Sequence, residues 1–168
     1  RNEVLGTVQL QVSGEHMLRN SAAALLTAIE FGFPASSAIA GLARYSGVRR
    51  RMELKGTSAG VRVYDDYAHH PSEITPNLIA ARGMVGEGRL VVVFQPHLYS
   101  RTATFAEEFG AALGLADEVV VMDVYGARED PVPGVTGALI ADQVPLPQAQ
   151  VRFEPDWSAV AEQVAARC

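Results

Sequence analysis

Asp65-Asp66-Tyr67-Ala68-His69-His70-Pro71 places two carboxylates, a phenol and two imidazoles at the end of an alternating stretch, Val61-Arg62-Val63-Tyr64, and just before a proline suited to open a helix. Carboxylates in that place could hold Mg²⁺, a ribose diol or a substrate ammonium, or they could simply finish a solvated strand or cap a helix. Adjacent strand residues point to opposite faces, so only one of Asp65 and Asp66 can meet a ligand. His69 and His70 have no third ligand at a recognisable spacing, which favours a polar pair that contacts substrate or caps a helix over a metal centre. A second group, Gln95-Pro96-His97-Leu98-Tyr99-Ser100-Arg101-Thr102, follows the apolar run 89–94. There Arg101 could grip a carboxylate or phosphate as a bidentate fork with His97 beside it; the competing reading is a surface loop with a salt bridge. His16 and Asn20 lie one turn apart at the start of a helix, able to face one ligand together or to serve as cap and core histidine. Arg49-Arg50-Arg51 reads by itself as a solvated linker.

These groups need elements to carry them. Residues 3–12 alternate apolar and polar, the period of a half-buried strand, and residues 16–30 change to helical spacing that stops at Gly32 and Pro34. A shorter helix is expected over 36–44. Residues 52–55 and 61–66 read as a hairpin around a five-residue loop, 56–60. Pro71 suits a first helical position, and the helix should run to about Gly83; Pro76 in its second turn predicts a kink or a frayed start. The run 89–94 is of the kind buried on both faces of a parallel sheet. Then come a helix over 102–115, a strand over 118–123, a Pro/Gly-rich loop over 125–137, a short helix to about Gln143, a strand over 150–153, and a last helix from Trp157 capped by Asp156. Strands alternating with helices imply an α/β fold with right-handed crossovers and a mostly parallel sheet, Rossmann-like, with helices on its faces. The two strand ends, 61–66 and 89–94, are expected to border one site.

The chain has 168 residues, 48% of them hydrophobic, enough for a real core. No apolar run approaches the roughly 18 residues of a membrane span and no signal-peptide pattern opens the chain, so a cytoplasmic protein without membrane partner is expected. A net charge of -5 argues against nucleic acid as a partner. The single cysteine, Cys168, leaves no disulfide or cysteine-based metal site within the chain, and no metal ligand set is assigned. Lys55 is the only lysine among fourteen basic residues, so any anion is held by guanidinium forks. No Gly-x-x-x-x-Gly-Lys-Ser/Thr loop occurs; if ATP is used, its phosphate cradle lies elsewhere.

Taken together, Gly14-Glu15-His16-Met17-Leu18-Arg19-Asn20, the junction 47–51, the stretch Asp65 to Pro71, Phe94 to Thr102, and Val124-Tyr125-Gly126-Ala127-Arg128-Glu129-Asp130-Pro131 resemble, in order, the C-terminal part of the Mur ligase family, and most closely its alanine-adding branch. The resemblance implies that residues 1–46 are the tail of a central ATP-binding domain and 47–168 the C-terminal domain, ending early, with the remaining domains in the same polypeptide. It implies an ATP- and Mg²⁺-dependent ligase of peptidoglycan synthesis that joins L-alanine to UDP-N-acetylmuramate through an acyl phosphate, both cofactors being held mainly outside this stretch. The 168 residues alone would then be inactive. By position, His16 and Asn20 match an adenine-side motif, Arg51 an arginine near the nucleotide phosphates, and Asp66 an aspartate that meets the ribose. Tyr67, His69, His97 and Arg101 match residues around the incoming amino acid, with Arg101 as carboxylate clamp; Arg51, Asp66 and His69 would bear on catalysis. Met17 replaces a frequent asparagine and Leu98 a frequent second arginine, which leaves adenine contact to Asn20 and the alanine carboxylate to Arg101 and His97.

Overall fold

The computed structural model describes residues 4–167. By its internal contacts the chain divides into two compact units after Tyr67.

In the first unit, α1 (Glu15–Glu30) follows Gly14, whose φ of 110° only glycine adopts freely. It ends in a Schellman turn: Gly32 at φ 86° donates to the Ile29 carbonyl at 2.9 Å while Phe33 donates to Ala28 at 3.0 Å. α2 (Ala35–Ala43) starts directly after Pro34. The helices fall within a residue or two of their sequence expectations. The strand expected over 3–12 does not form over its described residues 4–12, and residue 3 lies outside the described part. Alternation says which side chains could face a core, but a strand exists only through a hydrogen-bonded neighbour, and these residues enter no ladder. The apolar stripe of α1 is likewise uncovered within its unit: Leu18 and Leu26 are 59% and 64% exposed.

β1 (Glu53–Ser58) and β2 (Val61–Asp65) pair antiparallel. The loop between them is two residues, not the five expected. Ala59 and Gly60 take φ of 48° and 83°, the left-handed pair of a type I′ turn whose twist matches the strands, and this lets the ladder continue through Thr57 and Ser58. A register shift between Leu54 and Gly56 absorbs Lys55.

The second unit is α/β. α3 (Pro71–Val85), β3 (Val91–Phe94), α4 (Tyr99–Leu113), β4 (Glu118–Met122), α5 (Ala138–Ala141), a 3₁₀ turn, β5 (Val151–Glu154) and α6 (Trp157–Ala165) follow one another, and the sheet order is β3-β4-β5, all parallel. The strand buried on both sides is therefore β4, with Val119, Val120 and Val121 at 1%, 3% and 0% exposure. β3 has a neighbour on one side only among the described residues, and its Val93 is 43% exposed, against the expectation of full burial. Among the described residues β2 pairs with β1 and enters no other ladder.

The core gathers Ile74 from α3, Phe94 from β3, Phe109 and Leu113 from α4, Val119 and Val121 from β4, and Ile140 from α5. Gly137 allows α5 to approach β4: a Cβ there would lie 2.0 Å from the Met122 carbonyl oxygen. α3 runs through Pro76 without the expected kink or frayed start. His70 takes the first-turn bonds, its carbonyl accepting from Glu73 at 2.9 Å and Ile74 at 3.0 Å and its Nδ1 from Ser72 at 3.3 Å, so the one bond Pro76 removes is lost from a helix anchored at its start. The break falls instead in α4, where Phe105 leaves helical geometry at φ -119°, ψ 23°. Arg82 of α3 binds Asp117 at 2.9 Å, and the same carboxylate oxygen accepts from the Leu90 amide at 2.7 Å, fixing the entry to β3.

Candidate functional site

At the C-terminal end of β3 the chain passes through buried Pro96 to His97, where a parallel bridge to Tyr125 extends the β3–β4 pairing past both strands. Tyr125 donates to the Pro96 carbonyl at 2.8 Å and accepts from the Leu98 amide at 3.0 Å. Leu98 is held at φ 77°, an uncommon conformation for a residue with a Cβ, and it turns the chain into α4. Arg101 therefore sits in the first turn of α4 and reaches the His69 carbonyl at 3.2 Å. The rings of His69 and His97 meet edge to face with centroids 6.2 Å apart, and His97 lies 5.6 Å from the Tyr125 ring.

The two adjacent histidines divide their work. His70 is the N-cap of α3: its Nδ1 accepts from the Ser72 amide at 3.3 Å and lies 2.8 Å from the Ser72 hydroxyl, while its ring packs on Phe105 at 4.9 Å. His69 is oriented by Glu73, whose Oε2 accepts the His69 amide at 3.0 Å and stands 3.4 Å from its Nδ1. Burial pushes the His97 imidazole below its ordinary pKa, and the nearby charges of Arg101, His69 and Arg128 push the same way, with Glu129 opposing them. Its Nδ1 is buried and has no hydrogen-bond partner. A neutral imidazole beside a guanidinium, with an unpartnered polar atom, suits a small zwitterion whose carboxylate the arginine takes.

In the first unit, Arg51, Asp66 and Tyr67 come together around a tight loop. Arg50 and Met52 both adopt left-handed φ, 58° and 48°. Arg50 donates its amide to Glu53 at 2.9 Å, accepts the Tyr67 amide at 2.7 Å, lies 3.7 Å from Asp65 and stacks over the Tyr67 ring at 4.6 Å. Asp66 accepts the Met52 amide at 2.7 Å, and the Arg51 guanidinium is 6.0 Å from the Tyr67 ring. The Arg49–Arg51 stretch is thus a latched loop and not only a solvated linker. Both carboxylates are thus engaged within the unit, Asp65 with Arg50 and Asp66 with the Met52 amide. Also in this unit, His16 buries an unpartnered Nδ1 near the start of α1, and Asn20 is exposed one turn on.

His69, His97 and Arg101 thus form one cluster in the second unit; Arg51, Asp66 and Tyr67 form another in the first, where His16 and Asn20 also stand. Glu129, which binds Ser100, and Glu73, which orients His69, were not singled out from sequence. Glu129 lies in a loop without periodicity, where nothing points to its partner; Glu73 stands three residues after the cap His70, a spacing that could have drawn attention to it.

The family model described as Mur ligase, glutamate ligase domain, matches residues 50–168. The UDP-N-acetylmuramate--L-alanine ligase of Saccharopolyspora erythraea is 64% identical over 94% of the chain, and that of Kineococcus radiotolerans 62% identical over 95%; the matches cover 32% and 34% of those proteins. The crystal structure of UDP-N-acetylmuramate-alanine ligase MurC from Thermotoga maritima is 28% identical with a TM-score of 0.72, covering 92% of this chain and 33% of that one. The chain spans about a third of the length of the curated relatives it matches. The family model begins at residue 50, whereas the compact units part after Tyr67; among the described residues the β1–β2 hairpin enters no other ladder and groups with what precedes it. With the family model matching most of its length, the chain belongs to the Mur ligase family.

Proposed function

We propose that this chain is the C-terminal part of an ATP-dependent ligase that joins L-alanine to UDP-N-acetylmuramate in the cytoplasm, in peptidoglycan synthesis, with residues 1–46 ending a central ATP-binding domain and 47–168 forming the C-terminal domain. The observation that carries the reading is the cluster of Arg101, His97 and His69 on a chain 64% identical to a protein named for that reaction. Arg101 takes the alanine carboxylate as a fork. His97, held neutral by burial, presents no charge to repel the alanine ammonium. His69, fixed by Glu73, supports Arg101 through its carbonyl, and Tyr67 is assigned to the amino-acid side as well.

For ATP, the buried unpartnered Nδ1 of His16 fits a group that brings its own polar edge, and Asn20 beside it is assigned to the adenine. The exposed Arg51 is assigned to the phosphates and Asp66 to the ribose. When bound, ATP supplies the phosphoryl group that activates the muramoyl carboxylate. Among the described residues no group of three or more carboxylate, imidazole or thiolate side chains could hold a metal ion, and Mg²⁺ is assigned mainly to the rest of the polypeptide together with the phosphate loop. No helix among the described residues is long and apolar enough to cross a membrane.

The test is phosphate release by the complete polypeptide. It should require ATP, UDP-N-acetylmuramate and free L-alanine together, and the 168 residues alone should give none. Preference for a preformed peptide over free alanine would overturn the acceptor assignment; release that ignores the amino acid would overturn the ligase.

A further inference from the structure

α4 opens on an apolar cap residue. Leu98 offers no side-chain acceptor to the first amides of the helix, which would otherwise be left unsatisfied. The acceptor comes from the loop after β4: Glu129 takes the Ser100 amide on Oε2 at 2.9 Å and the Ser100 hydroxyl on Oε1 at 2.5 Å. Its negative charge sits at the positive end of the helix. The loop that bears Glu129 is itself fixed. Its amide donates to the Gly126 carbonyl at 2.9 Å, and Gly126 lies against Tyr99 so closely that a Cβ would stand 2.7 Å from the ring. One residue before, Tyr125 is bonded to both Pro96 and Leu98. The residue after Ser100 is Arg101, and the residue before Leu98 is His97.

We infer that Glu129 is a positioning residue for the acceptor amino acid, acting through the first turn of α4 to aim Arg101 and His97. This rests on the ligase reading above. A carboxylate that merely stabilised the helix would matter to folding alone; this one holds Ser100, next to Arg101, and its loop holds Leu98, next to His97, through the Tyr125 carbonyl, so moving it moves them. Its charge also opposes on His97 the effect of Arg101 and Arg128.

Glu129→Gln keeps the shape and one acceptor oxygen and should fold. In the 168-residue chain, removing the charge should lower the His97 imidazole pKa further in an NMR titration, and exchange of the Ser100 amide should quicken about tenfold. In the complete ligase, the alanine KM should rise roughly ten- to a hundredfold while kcat and the KM for ATP stay within about twofold, as expected for loss of substrate positioning. Ser100→Ala, which removes only the hydroxyl contact, should show the same pattern more weakly. An unchanged alanine KM in Glu129→Gln overturns the inference, as does an unchanged His97 titration together with unchanged Ser100 exchange. A parent enzyme that does not use alanine overturns the ligase reading instead, and the two NMR measurements then still decide whether Glu129 positions Arg101 and His97.

Discussion

His97 holds one imidazole nitrogen buried and unpartnered, and burial first, then the guanidinium groups of Arg101 and Arg128, press it toward the neutral form against Glu129. Its folded pKa lies below the ordinary 6.5, so between the two values the unfolded chain binds the proton more readily. The contribution of neutral His97 to stability is complete above about pH 6.5 and is lost as pH falls through the folded value. Alanine binding should follow the folded value alone: the alanine KM of the complete ligase should rise as pH falls through the folded His97 pKa, below 6.5, and His97→Gln, which cannot charge, should flatten that rise. Arg101→Ala removes the fork and should raise the alanine KM about a hundredfold with little change in the KM for ATP, in line with the cost of unpairing a buried charge; an unchanged alanine requirement would sink the clamp assignment. At this scale the sequence was informative where side-chain chemistry is rare. An arginine four residues after a histidine beyond an apolar run is visible without coordinates. The division between His69 and His70 is not, because both are imidazoles and only the helix start decides which one becomes its cap.

The elements follow the same logic. Helix limits were legible to a residue or two where glycine, proline or aspartate marks them, as at Gly32, Pro71 and Asp156. The hairpin was legible as a hairpin, but its loop reads as longer because Gly56 and Ser58 are turn-forming residues that nevertheless pair once Ala59 and Gly60 supply the turn. Ala59 does so at φ 48°, which costs an alanine about 1 kcal/mol relative to residues at home in the left-handed region. Ala59→Asn should therefore stabilise the chain by up to about 1 kcal/mol in urea titration, the asparagine tolerating that φ in a type I′ turn. Gly137 is the opposite case. Its φ of -60° suits any residue, and glycine is needed only because the Met122 carbonyl lies where a Cβ would go. Gly137→Ala should destabilise by about 1–3 kcal/mol or more by forcing α5 off β4, a loss that local sequence around residue 137 gives no means of foreseeing.

Across the whole molecule, apolar burial is unequal. The buried hydrophobic side chains run from Ile74 to Val160, and among residues 4–67 only Ser21 is buried. Periodicity found the apolar face of α1 and the alternation of 3–12 as readily as it found β4, because a pattern records which side chains want cover and not whether this stretch of chain supplies it. Hydrophobic burial is the main favourable term in folding, so the second unit should hold nearly all the cooperative stability of the 168 residues. Leu113 is fully buried at the centre of that core, and Leu113→Ala should cost about 2–5 kcal/mol. Amide exchange separates the two units in one experiment. In the parent chain the amides of β4 and the last turns of α4 should exchange only through global opening, while those of α1 exchange by local fluctuation, orders of magnitude faster. In Leu113→Ala the slow set should accelerate by the full loss in stability, about 30-fold or more at 1.4 kcal/mol per tenfold, and the α1 amides should not change. If the α1 amides accelerate in step with β4, the two units unfold as one, and the stability of the first does not come from its own sparse burial.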